Sequence, residues 1–145
     1  MNKVNTIDDI KLLNLPKISD VRGNITFIEP GRPVPFLIRR VYWIYDVPGG
    51  ETRGGHAYKN IYELFIALSG SFNVSLDDTQ KTVSYTLNRP YLGLLVPNMI
   101  WRRLENFSTN SVCLVLASLP YAKNEYIRNY NSFINLRLAN YDNNH

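Results

Sequence analysis

The chain has 145 residues, 45% of them hydrophobic and 19% charged, which is one domain's worth of sequence and enough apolar matter to close a packed core. Sixteen Lys and Arg against twelve Asp and Glu give a net charge of +4, but the only basic doublets are Arg39–Arg40 and Arg102–Arg103. With no basic stripe interleaved with aromatics, a nucleic-acid partner is excluded and a small anionic ligand suits the charge better. Residues 1–9 contain no apolar stretch of signal-peptide length and no run approaches the roughly 18 apolar residues of a membrane span. The expectation is a soluble, cytoplasmic protein with no membrane partner. Short runs rich in β-branched and aromatic residues then follow one another: Asn24 to Ile28, Phe36 to Tyr45, Ile61 to Leu68, Ser71 to Leu76, Thr82 to Leu87, Tyr91 to Val96 and Ser111 to Ser118. Ser71–Leu76 and Thr82–Leu87 alternate with period two around a polar turn over 77–81, the pattern of a hairpin. Strands at this spacing predict an all-β sandwich or jelly roll. Tyr126, Ile127, Tyr130, Phe133 and Ile134 recur at helical spacing, which predicts a helix over 124–134 packed on the β-core, with a frayed end over 140–145. A single domain is expected over 1–145, its core at about 15–135. The one cysteine, Cys113, lies in an apolar run; it excludes a disulfide framework and reads as a buried, inert thiol.

The densest cluster of chemistry-bearing residues runs from Gly50 to Gly70: Gly50, five residues, His56, one residue, Tyr58, four residues, Glu63, six residues, Gly70. Residues at i and i+2 of a strand share a face, so His56 and Tyr58 point the same way, and Glu63 can enter the same space from the next strand. The spacing resembles the first signature of the cupin superfamily, whose metal-binding members carry a second histidine at the place of Tyr58. Gly93 to Arg102 resembles the second signature, with Arg102 at or beside its histidine position. The fold this implies is a cupin-type double-stranded β-helix, or jelly roll, with a short C-terminal helix. His56 and Glu63 alone are too few donors for a transition metal, and an inward arginine repels a cation. No metal and no cofactor are therefore expected. Arg, His, Tyr and Glu on one cavity make a set for acid–base work, and histidine's usual pKa suits proton transfer near neutrality.

Taken in order, further segments carry a closer resemblance over roughly residues 15–135: Ile18 to Glu29, Pro35 to Tyr45, Arg53 to Lys59, Leu76 to Asp78, Trp101–Arg102, Asn106 to Ser108, Val115 to Ser118 and Glu125 to Tyr130. Together they look like the bacterial sugar 3,4-ketoisomerases, which act on dTDP-4-oxo-6-deoxy-glucose. The family motif there is Arg-Gly-x-His-Ala-His-Lys. His56 matches its first histidine and Tyr58 replaces the second. The resemblance implies a metal-independent tautomerisation, in which a proton leaves C3 of the 4-oxo sugar and one returns to C4, with His56 as the shuttle and Tyr58 as donor to the carbonyl or enediol oxygen. Arg22, Arg53 and Arg102 are the candidates for the sugar or diphosphate, since a guanidinium pairs with phosphate oxygens in a fork. Lys59 is a candidate phosphate contact, and Tyr42 is expected to line the cavity.

Phenol, with an ordinary pKa near 10, is a better acid than base, so the tyrosine leaves two alternatives open: a dTDP-sugar epimerase built on a His base and a Tyr acid, or a sugar-nucleotide-binding protein without catalysis. The family also divides by the C4 configuration of its product. Arg22 matches the galacto-type members and Arg102 the gluco-type; the missing histidine after Trp101 favours the gluco product. The resemblance further implies a homodimer, for which the aromatic-rich strand Phe36–Tyr45 offers a surface, and a place in 3-amino-3,6-dideoxysugar synthesis for surface polysaccharide such as lipopolysaccharide O-antigen.

Overall fold

A computed structural model describes residues 4–144. Fourteen strands run along the described chain: β1 (Lys11–Asn14), β2 (Lys17–Asp20), β3 (Gly23–Thr26), β4 (Glu29–Pro30), β5 (Pro33–Val34), β6 (Arg40–Tyr45) and β7 (Arg53–Tyr58). They continue as β8 (Glu63–Ser69), β9 (Phe72–Asp77), β10 (Thr82–Leu87), β11 (Leu92–Val96), β12 (Trp101–Glu105), β13 (Val112–Ala117) and β14 (Tyr126–Ile127), before one helix, α1 (Tyr130–Asn144). Two five-stranded sheets, ordered β1-β11-β8-β13-β6 and β10-β9-β12-β7-β14, face each other. This is the jelly roll expected from the sequence, and β9–β10 is the expected hairpin, registered from Phe72↔Leu87 to Asp77↔Thr82.

Period-two alternation decides what fills the space between the sheets. Phe65 and Ala67 of β8, Phe72, Val74 and Leu76 of β9, Leu94 and Val96 of β11, Leu104 of β12, and Cys113 and Val115 of β13 form the central cluster. Burying each large member contributes roughly 1.5–3 kcal/mol. The run Glu63 to Ala67 is buried throughout because both of its faces are covered: Leu64 and Ile66 point outward, beneath Leu15, Val34 and Leu95. Burial on both faces is what makes such a strand read as a continuous apolar run. Cys113 is fully buried between Ile44 and Ala67, and burial pushes its thiol up to about 12.

The helix begins later than the sequence pattern suggested. Tyr126 and Ile127 add an edge strand to β7, and α1 starts only after Asn129, whose side chain accepts the Ser132 N–H at 3.0 Å as a cap. The helical spacing over 124–134 arose because strand and helix press on one patch: Ile127 and Phe133 share a cluster with Ala57 and Met99. Arg137 anchors α1 by donating to the Met99 carbonyl at 2.7 Å and the Asn5 carbonyl at 2.8 Å. The frayed end expected over 140–145 is helical through Asn144; His145 lies outside the described residues. The β2–β3 hairpin makes its own two-stranded sheet and carries Ile18, Val21 and Ile25 exposed.

Gly70 closes the turn from β8 to β9 at φ +67°, where a Cβ would lie 2.4 Å from the Ser108 hydroxyl oxygen and 2.9 Å from the Ser111 Cα. Both the backbone sign and the lack of room require glycine. Gly70→Ala is expected to lower stability by about 2 kcal/mol or more, measured as a shift in the urea midpoint. An unchanged midpoint would contradict this account of the turn.

Candidate active site

One end of the barrel opens into a cavity of about 620 Å³, lined by residues of β6, β7, β12 and β14 and by the loop between β6 and β7. Its chemistry follows from register. On β7, His56 and Tyr58 point inward while Ala57 turns out toward the helix cluster. Arg102 of β12 pairs directly with His56, and Tyr126 of β14 pairs with Tyr58. Tyr42 enters from β6, and Glu63 shares the inward parity of Phe65 and Ala67 on β8.

Arg102 and Glu63 form a buried ion pair, 3% and 2% exposed, with Arg102 Nε donating to Glu63 Oε1 at 2.9 Å. The rest of the guanidinium is also committed. Nη1 donates to the Gly54 carbonyl at 3.1 Å, and Nη2 to the Tyr42 hydroxyl at 2.9 Å and the Tyr58 hydroxyl at 3.5 Å. The Tyr42 hydroxyl in turn donates a short bond to the other Glu63 oxygen. Burial alone would lower the Arg102 pKa, but Glu63, then Tyr42 and Tyr58, outweigh it, so this arginine stays charged. Gly54 explains one glycine of the Arg-Gly-Gly-His run: its φ is +70° and a Cβ there would sit 2.0 Å from Arg102 Nη1. Because the carboxylate of Glu63 is taken on both oxygens, the donor set does not fit a metal. Among the described residues, no group of three His, Cys, Asp or Glu side chains gathers that could hold one.

His56 is 7% exposed, and its Nε2 is buried without a hydrogen-bond partner. Burial, followed by the nearby cations Arg102, Arg128 and Arg40, holds its pKa down to about 2. The imidazole is therefore neutral across the physiological range, with a free ring nitrogen. Its ring stands edge-on to Tyr58 at 4.9 Å and tilted against Tyr126 at 4.9 Å, and the two tyrosine rings meet at 4.8 Å. Burial first and Glu63 second raise the Tyr58 phenol, while Arg102 opposes them. Tyr126 also accepts a hydrogen bond from Arg40 Nη1 at 3.1 Å.

His56, Tyr58, Tyr42, Arg53 and Arg102 thus line one cavity, with Arg53 exposed at its rim and Glu63 behind them as the anion of Arg102. Two of the residues singled out from sequence lie elsewhere. Lys59, exposed, follows Tyr58 at the end of β7 and is outside the cavity lining. Arg22 is exposed at the tip of the β2–β3 hairpin, paired with Asp20 at 2.9 Å. Sequence reasoning missed Arg40 and Tyr126. Tyr126 was hidden because its segment matched a helical period, and Arg40 because a basic doublet carries no sign of which member faces inward.

The family model described as "FdtA: WxcM-like, C-terminal" matches residues 8–138. The TDP-4-oxo-6-deoxy-alpha-D-glucose-3,4-oxoisomerase of Aneurinibacillus thermoaerophilus is 42% identical over 123 residues, 85% of this chain and 88% of its own. Among solved structures, the TDP-quinovose 3,4-ketoisomerase WlaRB of Campylobacter jejuni is 42% identical with a TM-score of 0.85, over 89% of this chain and 99% of that one. The sugar 3,4-ketoisomerase QdtA of Thermoanaerobacterium thermosaccharolyticum, in complex with TDP, is 34% identical with a TM-score of 0.90, over 93% and 98%.

A buried neutral histidine has a signature in stability. In the unfolded chain the imidazole takes up a proton near pH 6.5, whereas in the fold it does so only near 2. The unfolded state therefore binds the extra proton, and stability falls, as pH drops through 6.5. The loss reaches up to about 1.4 kcal/mol per pH unit. His56→Asn is expected to lose about 2 kcal/mol less than the parent between pH 7 and pH 5, measured by urea unfolding at both pH values. Equal losses in the two proteins would contradict a neutral, buried His56.

Proposed function

We propose, for a chain that belongs to the FdtA, WxcM-like family, that the cavity isomerises dTDP-4-oxo-6-deoxy-glucose to the 3-oxo sugar nucleotide. The enzyme is a sugar 3,4-ketoisomerase of jelly-roll fold, and the observation that carries its mechanism is the unpartnered, buried Nε2 of His56, a residue that lines the cavity.

The reaction moves two protons and leaves the oxidation state of the whole sugar unchanged. His56 Nε2 takes the C3 proton, made acidic by the C4 carbonyl, as the electron pair flows into the C4 oxygen. Tyr58 gives its hydroxyl proton to that oxygen, producing the enediol. The imidazolium then returns a proton to C4 while the C3 hydroxyl gives its proton back to Tyr58, and the carbonyl is left at C3. Both groups end as they began. A neutral imidazole is the form a base requires, and the depressed pKa keeps His56 in that form until substrate arrives. A diphosphate carries negative charge toward the cations that depress it, which strengthens the base as the substrate binds. Arg102 stays charged and each of its nitrogens is engaged by protein groups, so its part is to hold the Tyr58 hydroxyl and to balance Glu63. Arg53, exposed at the rim, is the guanidinium available to the diphosphate. Similarity to a TDP-quinovose enzyme, quinovose being 6-deoxyglucose, favours the gluco product; return of the proton by His56 to the face it was taken from would give the galacto product instead, so the C4 configuration of the product reports whether one base serves both carbons.

The outward row of β6, Val41, Trp43 and Tyr45, is exposed on an edge strand, and a homodimer would cover it. The β2–β3 arm holds Arg22 outside the cavity of its own chain, so a substrate role for Arg22 would have to be exercised in a partner's cavity. Among the described residues no helix is long and apolar enough to cross a membrane. The setting proposed is the cytoplasm, where the 3-oxo group would be the carbonyl that receives an amine on the way to 3-amino-3,6-dideoxysugars of surface polysaccharide.

Incubation of the protein with dTDP-4-oxo-6-deoxy-glucose in deuterated water containing EDTA is expected to yield the 3-oxo product, with deuterium at C4 only in those turnovers in which the His56 imidazolium exchanges with solvent before it returns its proton. His56→Asn should slow this by about 10²–10⁴-fold. Absence of turnover with dTDP still bound would favour a binding protein; deuterium at C3 with the carbonyl kept at C4 would favour an epimerase. For the assembly, light scattering should give twice the chain mass for the parent and a single chain mass for Val41→Glu/Trp43→Glu; a monomeric parent rejects the dimer.

A further inference from the structure

Tyr58 poses a problem that a histidine at the same place would not. A phenol that gives up its proton becomes an anion, and here that anion would lie in a pocket shared with the Glu63 carboxylate, which already disfavours it. Something has to stabilise the oxygen that is left behind. Arg102 Nη2 faces it at 3.5 Å from one side, but the same nitrogen also serves Tyr42 at 2.9 Å.

From the other side comes Tyr126. Its ring packs on Tyr58 at 4.8 Å and on His56 at 4.9 Å, its presence pushes the Tyr58 phenol further up, and strand register places the two residues opposite each other. The Tyr126 oxygen accepts from Arg40 Nη1 at 3.1 Å. A guanidinium has no lone pair to offer, so this bond can run in one direction only, and the Tyr126 proton is free to turn elsewhere. The Arg40 guanidinium also lies over the Tyr42 ring at 4.6 Å and the Tyr121 ring at 5.3 Å, which fixes its position. The order is Arg40, Tyr126, Tyr58, with Arg102 closing the far side.

We infer that Tyr126 is a positioning residue for the isomerisation: polarised by Arg40, it turns its hydroxyl proton onto the Tyr58 oxygen as Tyr58 gives its own proton to the substrate. This rests on the isomerase reading given above and goes beyond it by assigning the support of the tyrosine that replaces the motif histidine. No net chemistry occurs at Tyr126. Its hydrogen bond swings toward Tyr58 while that oxygen is anionic and swings back when the C3 hydroxyl proton returns. The role belongs to a chain with tyrosine at position 58, since an imidazolium there would give its proton and leave a neutral ring, with no anion to hold.

Tyr126→Phe removes the hydroxyl and keeps the ring that packs against His56. The expected result is a fall in kcat of about 10- to 100-fold with KM changed less than threefold, and a melting temperature close to the parent's. A double-mutant cycle separates support of Tyr58 from simple packing: because Tyr126 acts through the Tyr58 hydroxyl, Tyr58→Phe/Tyr126→Phe should be no slower than Tyr58→Phe alone. A Tyr126→Phe enzyme within twofold of the parent kcat overturns the inference, and so does a double variant in which the two losses multiply. A parent protein that turns over no dTDP-4-oxo-6-deoxy-glucose overturns the isomerase reading itself, and this role with it.

Discussion

Two opposite charges sealed away from water must satisfy each other and all of their remaining hydrogen-bonding capacity, and the Arg102–Glu63 pair sets that demand for this barrel. Removing either partner would strand the other, a cost of about 3–5 kcal/mol in comparable buried pairs. The demand propagates outward. Glu63 needs a second donor and takes Tyr42; Arg102 has donors left over and takes the Gly54 carbonyl and the two tyrosine hydroxyls. The glycine at position 54 follows, because any side chain would occupy the guanidinium's place. On the proposed reading, catalytic geometry is a by-product of charge satisfaction: Tyr58, the residue proposed to donate to substrate oxygen, is held by a group that has to be held there anyway.

The same constraint explains how His56 comes to be a free base. It is paired in register with an arginine whose three nitrogens all bond to other groups, so it feels a positive charge without being offered a hydrogen bond by it. Burial then keeps water off Nε2. A ring nitrogen that is buried, neutral and unpartnered is costly to maintain, and such costs collect where chemistry is done. The aromatic wall of Tyr58 and Tyr126 keeps the ring in one orientation without taking up the lone pair.

Sequence pattern carried the strands well, because alternation is a direct imprint of two faces on a sheet. The boundaries of β9 and β10 fall within a residue of the runs seen in the sequence, and the i, i+2 rule put His56 and Tyr58 on one face. It carried long-range partnership poorly. That Arg102 would be spent on Glu63, Gly54 and Tyr42 rather than offered to a phosphate depends on residues that lie 39 to 60 positions away, two of them on the facing sheet, and no local pattern records that. The same holds for Tyr126, whose segment satisfied helical and strand periodicity at once. Arg22 shows a third kind of limit: its segment matched well, yet the hairpin that bears it projects from the barrel, so its part depends on what lies beyond a single chain.

The lone thiol on β13 has a use in this setting. Cys113 has no exposed surface and a pKa raised to about 12, so the native protein offers essentially no thiolate to an alkylating reagent. It lies in the central cluster with Phe65, over whose ring the Arg102 guanidinium sits at 5.2 Å, and it feels the charges of Arg102 and Glu63. Modification of this sulfur therefore has to wait for the barrel core to part. The chain carries its own clock for that event: the labelling rate of one native cysteine counts how often the core that underlies the Arg102 side chain comes open, with no foreign probe added.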